Sequence, residues 1–198
     1  MGRWEPGARG RLETAALELF SENGFDRTTV ADIAARAGVT ERTFFRYFAD
    51  KREVLFGAGQ ALQEFLVGQV AEAPEGTSPL DAVAGALQAA AAEIFAERHA
   101  FARQRQAVID SNTELREREL LKLAALTAAL AVALRDRGAS EPSASLAAES
   151  GIAVFKTAFV RWVTEDNATA FGAIIAETLA ELRAAVELGR RPTGLSGD

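Results

Sequence analysis

Seven consecutive residues, Glu41 to Tyr47, carry the groups whose types and spacing suggest chemistry. Arg42 and Arg46 stand four apart, one turn on a helix, so both guanidinium forks leave one face. Such a fork matches the O6 and N7 edge of guanine, and Thr43 can offer a hydroxyl to a base edge or a methyl to thymine. Phe44 and Phe48, also one turn apart, fall on the other face and suit a core. Phe45 is open to two uses, packing at a domain edge or pressing on sugar and thymine methyls. Tyr47 can donate its phenol to a phosphate.

Groups that suit phosphate flank this face. Thr29 and Thr40 each stand where a helix opens, a hydroxyl beside unpaired backbone N–H groups. Lys51 begins the next helix, and Arg3, Arg9 and Arg11 could lie as an arm along a phosphate strand or in a minor groove. Singly, each group has a plainer reading, as a solvated arginine face or a threonine that only caps. Their tandem order is what favours a nucleic-acid surface.

The elements that must position these groups are helices. Apolar residues recur at three and four, β-branched runs are few, and breakers fall at Asn23-Gly24, Gly38, Asp50, Pro74–Pro79, Ser111–Thr113, Gly138–Pro142 and Asp166-Asn167. The spacing predicts a first helix over 9–22, ended by a left-handed cap at Asn23-Gly24. A second opens at Thr28 or Thr29, with Thr29 and Asp32 spaced as a capping box, and ends at Ala37-Gly38. A third runs over 41–48 with Thr40 as its N-cap. Asp50 caps a fourth that starts at Lys51-Arg52, with Glu53 at its third position, and runs towards Val70. The second and third helices, joined through Ala37-Gly38-Val39, have the length and the turn glycine of a helix-turn-helix.

The chain holds 198 residues with a net charge of −6. That acidity is uneven: residues 1–52 carry nine Lys/Arg against eight Asp/Glu, and the remainder thirteen against twenty. Overall charge therefore does not exclude DNA. With no cysteine and one histidine, His99, disulfides and thiolate or multi-histidine metal sites are excluded. No Gly-rich phosphate loop, Gly-x-Ser-x-Gly elbow or HExxH occurs, and Glu165-Asp166 sits at a helix end as a solvated turn, so no enzyme, cofactor or metal is expected. No apolar leader opens the chain, and no run approaches about eighteen apolar residues, so a cytoplasmic location is expected.

The run TTVADIAARAGVTERTFFRYFADKREVL, Thr28 to Leu55, resembles the TetR family of one-component transcriptional regulators. The family's Thr-hydrophobic-x-x-Ile-Ala falls at Thr29 and Ile33-Ala34, and its turn at Ala37-Gly38-Val39. Its aromatic recognition helix falls at Thr43–Phe48, and its Lys-Glu-x-Leu at Lys51–Leu55 with Arg52 interposed. Ala16, Leu19, Phe20, Gly24 and Phe25 match its first helix. The resemblance covers about residues 10–56, with two departures. Phe45 stands where the family most often has Tyr, and Arg42 where a small residue is common.

The resemblance implies an all-α fold of about nine helices. Residues 1–52 would be a homeodomain-like three-helix DNA-binding domain reading through Thr29, Thr40, Arg42, Thr43, Phe45, Arg46, Tyr47 and Lys51. Residues 53–198 would be a helical effector-binding and dimerisation domain. It further implies a repressor released from a palindromic operator by ligand, with an activator or a ligand-independent DNA-binding protein as alternatives.

Residues of the later region support each half of that expectation. Two long helices, about 143–164 and 168–188, carry wide apolar stripes that include Phe171, Ile174, Ile175, Leu179 and Leu182. A monomer can bury only part of two such helices, so a four-helix interface with a homodimer mate is expected, the alternative being intrachain core. Helices over about 80–97, 100–110 and 114–137 would surround a pocket. Phe95, His99, Phe101, Arg105 and Ile109 are expected to line it from one side, and Leu126, Phe155, Phe159 and Trp162 from the other. Many apolar walls with few polar groups suit a hydrophobic or amphipathic small molecule. His99 also reads as a helix-end histidine. Arg103, Arg105, Arg116 and Arg118 could instead pair with Glu114, Glu117 and Glu119 at the surface.

Overall fold

A computed structural model describes residues 7–164 and 169–188; Arg3, Glu165-Asp166 and Asp166-Asn167 lie outside the described residues. The described residues form helices and connecting turns and no strand. None of these helices is long and apolar enough to cross a membrane.

By packing, the chain divides into two compact units. One is residues up to Glu64 together with Arg98–Leu126; the other is Phe65–Glu97 together with Thr127 onward. The division by packing does not follow chain order, because the helix over His99–Asp110 packs on the first helix.

In the first unit, α1 (Ala8–Asn23) buries Leu12, Ala15, Ala16, Leu17, Leu19 and Phe20, the stripe expected of its periodicity. Gly24 follows at φ 83°, ψ 156°, its N–H bonded to the Phe20 carbonyl. That ψ takes the chain away extended, so the exit is not the left-handed helical cap expected of Asn23-Gly24. α2 (Val30–Arg36) opens with both halves of the capping box between Thr29 and Asp32 in place. Gly38, at φ 66°, supplies the positive φ that the turn requires. The following Val39 N–H then returns to the Ala34 carbonyl at 2.9 Å. α3 (Glu41–Tyr47) follows, with Thr40 as N-cap. Phe44 and Phe48 seal the small core with Leu12, Phe20 and Ile33.

The expected fourth helix is interrupted. α4 spans Glu53–Phe56 and α5 Gly59–Ala71, with Gly57-Ala58 as a turn between them. The turn coincides with a close approach: Arg9 Nη2 donates to the Gly57 carbonyl at 2.5 Å. A Cβ at position 57 would lie 2.8 Å from that nitrogen and 2.9 Å from the Phe48 ring. Ten helical segments result among the described residues; with α4 and α5 taken as one interrupted helix, the number is the nine expected.

α6 (Pro79–Glu93), α7 (His99–Asp110), α8 (Thr113–Asp136), α9 (Glu141–Thr164) and α10 (Phe171–Leu188) complete the order. α7 and the start of α8 belong to the first unit, where Val108, Ile109 and Leu115 join the core of α1 to α4. In the second unit α6, α9 and α10 pack on one another. Arg137 ties the end of α5 there by donating to the carbonyls of Ala71, Ala73 and Pro74.

Candidate nucleic-acid interface

α3 is short, and its orientation is fixed by what it buries. Phe44 is fully buried and Phe48 nearly so, their rings 5.4 Å apart. With that face locked inward, Glu41, Arg42, Phe45, Arg46 and Tyr47 are exposed and Thr43 half-buried. Phe45 is 55% exposed, standing edge-on against Phe44 at 5.5 Å. Arg46 lies over the Tyr47 ring at 4.8 Å and donates to its hydroxyl at 3.0 Å. Arg46 and Tyr47 therefore form one ordered pair. At the start of the helix the Thr43 N–H donates to Thr40 Oγ1 at 3.2 Å, so capping leaves the Thr40 hydroxyl on the same exposed end.

The flanking groups are less open than their spacing suggests. The Thr29 hydroxyl donates to Asp32 Oδ2 at 2.6 Å and its N–H reaches the same oxygen at 2.9 Å. These bonds hold the Asp32 carboxyl below the usual carboxylate range. Arg9 and Arg11, expected in a leading arm, are instead part of α1. Arg9 is bound to Glu13 and Gly57, and Arg11 donates to the Ala37 carbonyl at 3.2 Å. Lys51 donates to the carbonyls of Phe25 at 2.8 Å and Thr28 at 3.1 Å. Asp50 accepts from the N–H groups of Arg52 and Glu53, but α4 opens only at Glu53 with Arg52 as its N-cap, so the helix start expected at Lys51-Arg52 falls later.

The family model for the bacterial regulatory proteins of the tetR family matches residues 13–58, the segment that contains this surface. Residues 13–58 are thus similar to the DNA-binding segment of the tetR family. The HTH-type transcriptional regulator TcmR of Streptomyces glaucescens is 42% identical over 81 residues, 41% of this chain and 36% of that protein. The HTH-type transcriptional repressor KstR2 of Mycobacterium tuberculosis is 31% identical over 82 residues, 41% of each. The match thus spans well under half the length of these relatives. SmeT, the repressor of a Stenotrophomonas maltophilia multidrug efflux pump, shares the fold over 89% of each chain, with a TM-score of 0.59 at 20% identity. TcmR and KstR2 are both transcriptional regulators, and the likeness to SmeT is one of fold.

The residues expected to bind an effector fall into both packing units. Phe95, Phe155, Phe159 and Trp162 come together in the second unit. Phe95 lies 6.0 Å from Phe155, 6.1 Å from Phe159 and 6.0 Å from Trp162. Phe171 joins them, stacked on Trp162 at 4.7 Å. His99, Phe101, Arg105, Ile109 and Leu126 belong to the first unit. There Ile109 is fully buried in the core with Phe101 packed on it, and His99 is the first residue of α7. Arg105 donates to the Leu55 carbonyl at 2.7 Å and to Glu119 at 3.1 Å, its guanidinium 5.1 Å over Phe56. Its donors therefore serve the fold. A cavity of about 420 Å³ in the first unit lies beside the end of α3, among Tyr47, Phe48, Phe56, Gly57 and Lys122. None of the expected effector residues lines it.

The dimerisation set requires a correction. Phe171, Ile174 and Ile175 are buried inside the chain, at 4%, 1% and 0% exposure. They face α6 and α9, whereas Leu179 and Leu182 are half-buried. The apolar groups of α9 and α10 left outside include Leu146, Val160 and Val186 with Ala153, Ala173, Ala176, Ala180, Ala184 and Ala185.

One cluster escaped the sequence reading. Glu53 of α4 accepts from Arg118 Nε at 2.8 Å and from Lys122 at 3.1 Å. The surface pairing expected of Arg118 on its own helix is thus replaced by a partner 65 residues away. The signal available was that Arg118 and Lys122 stand four apart and share a face.

Proposed function

We propose that this chain is a sequence-specific transcriptional regulator of the TetR family, a repressor that binds a palindromic operator as a homodimer and leaves it when a small molecule binds. The observation that carries the reading is the strip of exposed Arg42, Phe45, Arg46 and Tyr47 with half-buried Thr43, on a helix whose other side is locked by Phe44 and Phe48. That strip offers guanidinium forks for guanine, a hydroxyl and a ring for thymine methyls, and a phenol for phosphate. Thr29 and Thr40 flank it. Repression is carried over from the regulator KstR2, similar at 31% identity across this end of the chain.

A homodimer supplies two such strips for half-sites about 34–36 Å apart. The outer faces of α9 and α10 support it, with Leu146, Ala153 and Val160 exposed at heptad spacing on α9 and alanines exposed on α10. For the effector, the cluster of Phe95, Phe155, Phe159, Trp162 and Phe171 supports a hydrophobic or amphipathic molecule. The reading end is residues 1–52, the sensing and pairing end the remainder, and the site of action is the cytoplasm. α5 and α8 each contribute residues to both packing units. Release requires an effector with different affinity for the DNA-bound and free states.

Selection of bound duplexes from a random pool tests the reading. A symmetric consensus is expected, and Arg42→Ala should lose about 1–3 kcal/mol of discrimination at one position of each half-site. A pool with no enriched motif, or a protein that sediments as a stable monomer, overturns it.

A further inference from the structure

Lys51 opens the stretch before α4, where a cation facing DNA would be expected to hold a phosphate. Its surroundings direct it elsewhere. The ammonium donates to the Phe25 carbonyl at 2.8 Å, the Thr28 carbonyl at 3.1 Å and the Asp26 carbonyl at 3.4 Å. It also lies 4.2 Å from the centre of the Phe25 ring. A lysine ammonium has three N–H donors, and here three carbonyls of a single turn receive them. Phe25 is anchored in the core, its ring 5.1 Å from that of Phe20. Thr28, buried, donates back to the carbonyls of Leu19 and Gly24. The next residue is Thr29, the N-cap from which α2 starts.

We infer that Lys51 serves DNA binding as a positioning residue, holding the Phe25–Thr28 turn and hence Thr29 in place, and not as a phosphate contact. The inference rests on the reading of α3 as the DNA-binding surface. It separates two roles that look alike in a simple alanine scan. A phosphate contact contributes its own charge to the displaced counterions, so its loss makes binding less dependent on salt. A lysine spent on carbonyls lowers affinity when removed but leaves that dependence where it was.

Three variants of the full chain distinguish the roles: Lys51→Ala, Lys51→Met, which keeps the stem over Phe25, and Lys51→Arg. The probe is a random-sequence duplex titrated across a range of salt. Lys51→Met is expected to bind several-fold more weakly with an unchanged slope of log affinity against log salt. Lys51→Arg is expected to be as weak, because the longer, flat guanidinium cannot converge its donors from the single point that the ammonium occupies between the Phe25, Asp26 and Thr28 carbonyls. Overturning results are a slope shallower by about 0.9 in Lys51→Met, or full affinity in Lys51→Arg. In the free protein, amide exchange at Thr29, Val30 and Ala31 should quicken about tenfold in Lys51→Met; unchanged exchange overturns the proposal even with no DNA present. If Lys51→Ala does not fold, Lys51→Met is read in its place. A wild-type chain that binds no duplex, with exchange still quickened by Lys51→Met, instead sinks the DNA-binding reading and leaves the held turn standing.

Discussion

Arg105 on α7 donates through Nε to the backbone carbonyl of Leu55 on α4, at 2.7 Å, across 50 residues of sequence. The same guanidinium reaches Glu119 at 3.1 Å. One side chain thereby joins α4, α7 and α8 through a backbone atom that α4 cannot relocate. Burial lowers the pKa of this guanidinium and the Glu119 carboxylate opposes that fall; it stays charged, as arginine does in proteins.

Arg105→Lys keeps the charge but loses the fork. We expect it to destabilise the chain by about 1–3 kcal/mol in urea denaturation, because the Leu55 carbonyl or the Glu119 carboxylate loses its partner. A change below about 0.5 kcal/mol, the range of a surface substitution, would refute the link.

Phe44 and Phe45 are neighbours with opposite roles. Phe44 has no exposure, so Phe44→Ala should cost about 3–5 kcal/mol of stability. Phe45 is 55% exposed, so Phe45→Ala should alter stability by less than about 0.5 kcal/mol while weakening binding to the selected duplex. Paired denaturation and binding curves check both; equal losses of stability would reverse the assignment of faces.

Glu53 predicts a response to acid. Burial alone raises its carboxyl pKa, but the bonds from Arg118 and Lys122 outweigh burial and hold it below its ordinary value of 4.5. A pKa depressed on folding contributes stability that is complete above the unfolded value and lost as pH falls through the folded one. Between about pH 5 and pH 3 the wild type should therefore lose more stability than Glu53→Gln, which has no proton to take up. Parallel acid profiles for the two proteins would remove this role from Glu53.

Charges placed on the two kinds of apolar residue in α9 and α10 should have different consequences. Leu146→Asp and Val160→Asp, at sites 67% and 54% exposed, should leave a folded chain that sediments as a monomer. Ile175→Asp, at a site with no exposure, should unfold the chain, because a buried unpaired charge has no compensation. A dimer that survives both outer substitutions would move the interface elsewhere.

Local features were legible from the sequence because they depend on neighbours. The Thr29–Asp32 capping box, the Ala37-Gly38-Val39 turn, the Thr40 cap and the inward pair Phe44 and Phe48 all involve residues within about one helical turn, where backbone geometry permits few arrangements. The exposed strip from Arg42 to Tyr47 follows from that same periodicity.

What only the tertiary structure decided involves partners far apart in sequence. Arg9 and Phe48 close on Gly57 at the turn where a helix of unbroken periodicity is interrupted. Lys51 turns to Phe25 and Thr28, and Glu53 finds Arg118. A wide apolar stripe on α10 announces that much of it is buried, yet only packing against α6 and α9 shows that Phe171, Ile174 and Ile175 are the side taken up inside the chain. Periodicity specifies which way a side chain leaves its own helix; which distant surface meets it depends on how the helices assemble.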